Sequence, residues 1–449
     1  MRGILTPSFG VTCVTALALA LPALPATAAP ARPSEAVAAV RPSGAVAAVR
    51  PSEEAVAAVR PSEAGVPGST RSLPLVPLTR ERVLGTAPVQ GLYRPGGEHF
   101  SLVGVVWDDP DTELHGHVRV RTRTARSGKW SDWQDVETHN TDHGADPGTA
   151  ERASRRVRGA TAPLWVGASK GVEVRVAAAR GAQGAQGAQG GRTLRPWPPL
   201  PAGLHLELVD PGEETGIARL GALEIPALGR RATERELART QGPLRARPYI
   251  GPRPRIVTRR GWGADESLRV GGLVHTKTVK VAFVHHTASG NNYTCAQAPS
   301  VIRSIYRYHV DGMGWRDIGY NFLVDKCGTI YEGRAGGVTK AVLGAHTAGF
   351  NNDSMGIAVI GSYSATKPSG AAVTAVARLT AWKLGLFGAD PHGRTYLTSA
   401  GGNLFPKGKN VRLNVISGHR DGFATECPGK WLYAKLGTAR SSAARYQGR

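Results

Sequence analysis

Val279-Lys280-Val281-Ala282-Phe283-Val284-His285-His286 is an apolar run that ends in two imidazoles. Its length, its β-branched residues and the turn-forming Ser289-Gly290 beyond it read as a strand over 279–286 buried on both faces. The stretches that follow alternate in period. A helix is expected over 299–310, with Val301, Ile302, Ile305 and His309 near one face. Segments 320–324 and 329–332 read as a hairpin around Asp325-Lys326-Cys327-Gly328. A strand is expected over 356–362, a helix over 370–386 and a last strand over 411–417. Strands alternating with helices imply an α/β C-terminal domain, with a central mixed β-sheet flanked by helices, over 254–440.

Upstream the pattern changes. Val118, Val120 and Thr122 alternate with Arg119, Arg121 and Arg123, and Val172, Val174 and Val176 with Glu173 and Arg175. Period-two runs separated by turn residues predict a smaller all-β, sandwich-like domain over 72–210. Trp130 and Trp133 within it either pack at an edge or stack on sugar rings. Residues 181–191 repeat Gly-Ala-Gln and read as a loop. Residues 211–253 are polar and charged and read as a linker, with room for a short helix over 233–240. Residues 29–71 hold a repeated Pro-Ser-Glu-Ala-Val-Ala-Ala-Val-Arg unit whose prolines interrupt any helix, which suggests a spacer. Residues 1–28 have a basic start, an apolar stretch broken by Pro22 and Pro25, and Ala26-Thr27-Ala28, the pattern of a cleaved export signal. A membrane anchor is the alternative, but the apolar stretch is short for one.

The chain of 449 residues carries 56 Lys and Arg against 34 Asp and Glu, a formal charge of +22. On an exported protein such an excess suits anionic cell-wall polymers, though compositional drift produces the same bias. No nucleic-acid motif accompanies it. Later segments are too short and polar to span a bilayer. Of four cysteines, Cys13 lies in the export segment. Cys295 and Cys327 are left to pair once Cys427 is assigned to a metal, closing a loop of roughly 30 residues worth about 3–4 kcal/mol. Cys327 as the ligand in place of Cys427 is the other arrangement.

The chemistry lies in three separated segments: Val284-His285-His286-Thr287, Gly418-His419-Arg420-Asp421 and Cys427-Pro428-Gly429. Neighbours on a strand face opposite ways, so one of His285 and His286 enters a site and the other packs. Two imidazoles and a thiolate give three ligands for tetrahedral zinc with the fourth position open, the pattern of a catalytic centre. Such a zinc acidifies water and polarises a carbonyl, which suits amide hydrolysis. Tyr320 is a candidate oxyanion donor, and Thr425 a second hydroxyl near the metal. His346, Arg334 and Trp315 are candidate substrate contacts, Arg334 through a substrate carboxylate. Each also has a bland reading as packing or a structural ion pair.

Five ordered segments now carry a resemblance: 284–288, Asp317-Ile318-Gly319-Tyr320-Asn321-Phe322, Tyr331-Glu332-Gly333-Arg334, Gly344-Ala345-His346, and the His419 to Gly429 stretch. The region 254–436 resembles the peptidoglycan recognition proteins and the zinc-dependent N-acetylmuramoyl-L-alanine amidases that share their fold. The resemblance implies zinc on His285, His419 and Cys427, a catalytic role for Tyr320, and Thr425 where members carry lysine or threonine. It implies cleavage between N-acetylmuramic acid and the first L-alanine of bacterial peptidoglycan, by a secreted or wall-associated protein. A wall-binding protein that does not cut is the rival. Ala335-Gly336-Gly337 departs from the Gly-Trp of many members, so no peptide preference carries over.

Overall fold

The apolar run forms the strand Val281–His286, and every one of its residues is buried. It is buried because it has neighbours on both edges, pairing in parallel with Ser354–Val359 on one side and Ile416–Gly418 on the other. In this computed structural model, which describes residues 68–78, 87–138, 142–179, 197–212, 223–242 and 248–449, it belongs to a seven-stranded mixed sheet. The order runs Glu224–Ile225, Ile256–Val257, Ile330–Glu332, Phe322–Val324, Ser354–Val359, Val281–His286, Ile416–Gly418. The export segment, the proline-rich repeats and the Gly-Ala-Gln stretch lie outside the described residues.

Side-chain alternation gives the sheet two apolar faces. Ala282, Val284, Phe322, Val324, Ile357 and Val359 pack under the helices Gly370–Gly385 and Leu436–Gln447. The first helix is started by Ser369, whose hydroxyl accepts from the Ala372 N–H at 3.1 Å. Leu323 and Ala358 face the other way, onto Val301, Ile302 and Ile305 of the helix Ala298–Arg307.

That second helix is shared. Its cluster also takes in Leu102, Val106, Trp165 and Val209 from the all-β half. Just after it, Tyr308 donates its hydroxyl to the Thr161 carbonyl at 3.0 Å. Gly104 makes room for this ring, since a Cβ there would sit 2.4 Å from Tyr308. The all-β half is antiparallel, with the long strand Leu164–Ala178 pairing with Phe100–Trp107, Val89–Arg94 and Gly116–Thr124. Its own core holds Val103, Val105, Val118, Val120, Val172, Val174, Leu206 and Leu208. Trp130 and Trp133 lie on its outer face, where the Arg121 guanidinium sits 5.2 and 5.1 Å from the two ring centres.

Two expectations need correction. The segment 211–253 is no plain linker: it contains the edge strand Glu224–Ile225, and the short helix expected over 233–240 runs Arg230–Gln241 and buries Leu237 in the main core. The high charge hid this packing because Arg253 and Arg230 are paired with Glu236 and Glu234. The last strand is two: Asn410–Asn414 pairs with Arg394–Thr398 in a separate hairpin, and only Ile416–Gly418 joins the main sheet.

Candidate metal centre

His285 is next to last in Val281–His286, so the sheet holds its backbone while its ring clears the strand end. Alternation sends His286 to the opposite face, where its Nδ1 accepts from the Tyr363 N–H at 3.4 Å. His419 opens the turn directly after Ile416–Gly418, the strand beside that of His285. The Asp421 carboxylate fixes this turn by accepting from the Gly418 N–H at 2.9 Å. Cys427 returns on the following loop and puts its Sγ 3.8 Å from His285 Nδ1.

A fourth donor comes from the all-β half. The ligand atoms of His143, His285, His419 and Cys427 all lie within 4.8 Å of one another, and all four residues are buried. The sequence reading missed His143 because it sits in a turn with no strand or helix period. The one available signal was the polar density of Asp142-His143-Gly144-Ala145-Asp146 in an otherwise alternating domain.

The donors fit zinc. Among the described residues the buried His143 Nε2 has no hydrogen-bond partner and the buried His419 Nδ1 has only the Asp142 carboxylate at 3.5 Å, which is costly unless a cation takes up their lone pairs. Burial and then the His419 ring keep His285 well below the usual histidine range, and burial pushes His419 down to about 3. Both are therefore neutral at pH 7, as ligation requires. Burial, with Asp142 next in weight, raises the Cys427 thiol well above its ordinary value, so thiolate at this point calls for a positive neighbour.

Outer contacts orient the donors. Thr347 Oγ1 lies 3.4 Å from His285 Nε2 and 3.0 Å from His346 Nδ1. The Asp142 carboxylate lies 2.9 Å from His143 Nδ1 and 3.5 Å from His419 Nδ1. Burial opposes ionisation of Asp142, yet those two rings hold its carboxyl well below the usual range. The Tyr320 ring centre is 5.5 Å from that of His285 and 5.8 Å from that of His143. Burial, then Cys427, raises its phenol well above 10, so it remains a donor. Thr425 is half-buried at the loop before Cys427 and accepts from the Cys427 N–H at 3.1 Å.

The three candidate substrate contacts are not on open surface. His346 is fully buried behind His285. Trp315 is buried against His309, ring centres 4.5 Å apart. Arg334 is held by a second carboxylate from the all-β half, Glu151, through hydrogen bonds of 2.9 and 2.8 Å. Cys295 and Cys327 form a disulfide with a Cα–Cα distance of 6.2 Å, tying the start of the shared helix to the hairpin turn.

A mixed sheet with two histidines at adjacent strand ends and a nearby cysteine defines a class, and residues 275–430 match the family described as N-acetylmuramoyl-L-alanine amidase. Residues 57–193 match the Rv3811 N-terminal galactose-binding domain-like family. Peptidoglycan-recognition protein SC2 of Drosophila simulans is 30% identical over 183 residues, which is 41% of this chain and 85% of that protein. Peptidoglycan-recognition protein SC1a of Drosophila melanogaster is 31% identical over 188 residues, 42% of this chain and 87% of that one. A solved structure of peptidoglycan recognition protein-LE in complex with tracheal cytotoxin is 29% identical, covers 41% of this chain and 92% of its own, and has a TM-score of 0.33. The chain belongs to the peptidoglycan recognition protein family.

Proposed function

We propose that this chain is an exported, zinc-dependent N-acetylmuramoyl-L-alanine amidase that hydrolyses the bond between N-acetylmuramic acid and L-alanine in bacterial peptidoglycan. The observation that carries the reading is the convergence of His285, His419 and Cys427 at one buried point beside Tyr320. Zinc, when bound by these three, supplies Lewis acidity and brings the pKa of a water down to about 7. The remaining roles fall to this chain's own groups. Tyr320, kept protonated by burial, offers an O–H to a developing oxyanion. Thr425, whose hydroxyl bonds the Asp142 carboxylate and accepts from the Cys427 N–H, offers a second hydroxyl beside the donors. Thr347 holds the His285 ring so that Nδ1 faces Cys427. The +22 charge supports residence among anionic wall polymers.

The test combines metal analysis with product analysis. Purified protein is expected to hold one zinc and to release new L-alanine amino termini from peptidoglycan, with chelator abolishing release. Cys427→Ala is expected to lose both metal and turnover. Turnover by a zinc-free Cys427→Ala protein would sink the assignment. One observation favours a second reading, a binding protein that does not cut: four protein donors rather than three is the pattern of a closed, structural zinc site. Tight peptidoglycan binding with no new amino termini would select it.

A further inference from the structure

Between Asp142 and Glu151 the all-β half contributes no regular secondary structure, only turns, and lays this segment along the site. Besides Asp142 and the Gly144 carbonyl, three of its side chains reach the C-terminal half. His143 enters the donor cluster. The Asp146 carboxylate accepts from the Gly349 N–H at 2.8 Å, and from the Asn351 side-chain amide at 2.6 Å. Glu151 takes both terminal nitrogens of Arg334. The same asparagine steadies the site, because its Oδ1 accepts from the His346 N–H at 2.7 Å and the Thr347 N–H at 3.1 Å. The His143 and Asp146 contacts thus sit on groups that belong to the metal site or support it.

The chemistry of the three contacts has one pattern. A free catalytic zinc leaves its fourth position to water or substrate. Here the His143 imidazole, whose Nε2 has no hydrogen-bond partner among the described residues, stands with its donor atom within 4.8 Å of those of the other three. An acidic peptide would present carboxylates to Arg334 and to backbone amides, and here Glu151 and Asp146 present theirs. The C-terminal donors come from strand ends and the loop after them, whereas the fourth comes from a turn of a different half of the chain. Supplying a metal ligand would not by itself place Glu151 on Arg334, and Asp146, Glu151 and Arg334 line one cavity.

We infer that residues 142–151 are a built-in plug: His143 completes the metal's coordination, Glu151 and Asp146 place carboxylates where those of an acidic substrate would bind, and the intact chain cleaves only in the fraction of molecules whose segment has swung away. The inference rests on the amidase reading for its metal and its substrate. Catalysis then requires the segment to leave while the all-β half stays packed through the shared helix.

Cobalt substitution tests this without relying on turnover, since the visible spectrum of cobalt reports ligand number and added anions. In the full wild-type chain, azide at millimolar concentration is expected to leave the cobalt spectrum unchanged. In His143→Ala, and in the bulk-preserving His143→Gln, azide is expected to shift it. Amide release from peptidoglycan fragments should rise at least 10-fold in both variants. A wild-type cobalt spectrum that shifts at millimolar azide overturns the plug, and this outcome needs no variant to fold. Variants that bind cobalt yet stay blind to azide also overturn it. Azide access gained without any amide cleavage supports the plug and removes the amidase reading. Failure of all three proteins to take up cobalt removes both.

Discussion

Thr347 shows how the centre is set residue by residue. Its hydroxyl touches His285 Nε2 on one side and His346 Nδ1 on the other, so the ring bearing the candidate ligand has its second nitrogen engaged. Thr347→Val keeps the shape and removes that contact, and zinc affinity should fall by about 10–100-fold in competition with a chelating dye. An unchanged affinity would leave Thr347 as packing. Tyr320→Phe should retain the metal and lower amide release by ~10²-fold; stoichiometric zinc with an undiminished rate would remove the phenol from the chemistry. His285, His419 and Cys427 were legible in the sequence because each stands at or just beyond a strand end or before a Pro-Gly turn. His143 was not, since it is 142 positions from His285 and sits in a turn of the other half. Arg334 was read by its charge alone, and nothing local announced that Glu151 would meet it.

At the level of the element, the helix Ala298–Arg307 does two jobs, covering one sheet face and seating the all-β half. Its apolar positions were visible as a helical stripe, and the residue-level periodicity was sound. The stripe did not reveal two partners, because a broad apolar face looks the same whether one layer or two will cover it. The strand Phe100–Trp107 held a better signal. Leu102 to Trp107 is buried without alternation, the pattern of a strand covered on both faces. Tyr308→Phe should lower stability by about 1 kcal/mol, through loss of the bond to the Thr161 carbonyl. Gly104→Val should cost more, on the order of 1–3 kcal/mol, because the added carbons meet the Tyr308 ring. Urea unfolding of the two variants checks the order, and a Gly104→Val chain as stable as wild type would deny the close approach.

For the molecule as a whole, the sequence suggested two folding units and a tether between them. The structure gives units that share a core and exchange buried charge, with the Glu151–Arg334 pair almost wholly out of solvent. Burial alone would raise the Glu151 carboxyl, but Arg334, with the Arg316 N–H, outweighs it and holds it below the ordinary 4.5. A carboxyl depressed on folding stabilises the fold fully above its unfolded value, and that contribution fades as pH falls through the folded one. Urea midpoints of wild type should therefore drop below about pH 4.5 more steeply than those of Glu151→Gln. At pH 7 the variant should be weaker by on the order of 3 kcal/mol, since Arg334 is left buried without its carboxylate, held only by backbone carbonyls such as that of Ile318. Parallel pH curves for the two proteins would show that the pair does not couple to folding.

The lodging of one helix between two layers also bears on how the chain can be cut. A fragment beginning near residue 254 would keep six of the seven strands and all three C-terminal metal donors, yet lose the edge strand Glu224–Ile225 and strip the cover from the far side of Val301 and Ile305 and from the Tyr308 ring. Such a fragment would carry a greasy flank where the intact chain has none, and would be prone to self-association.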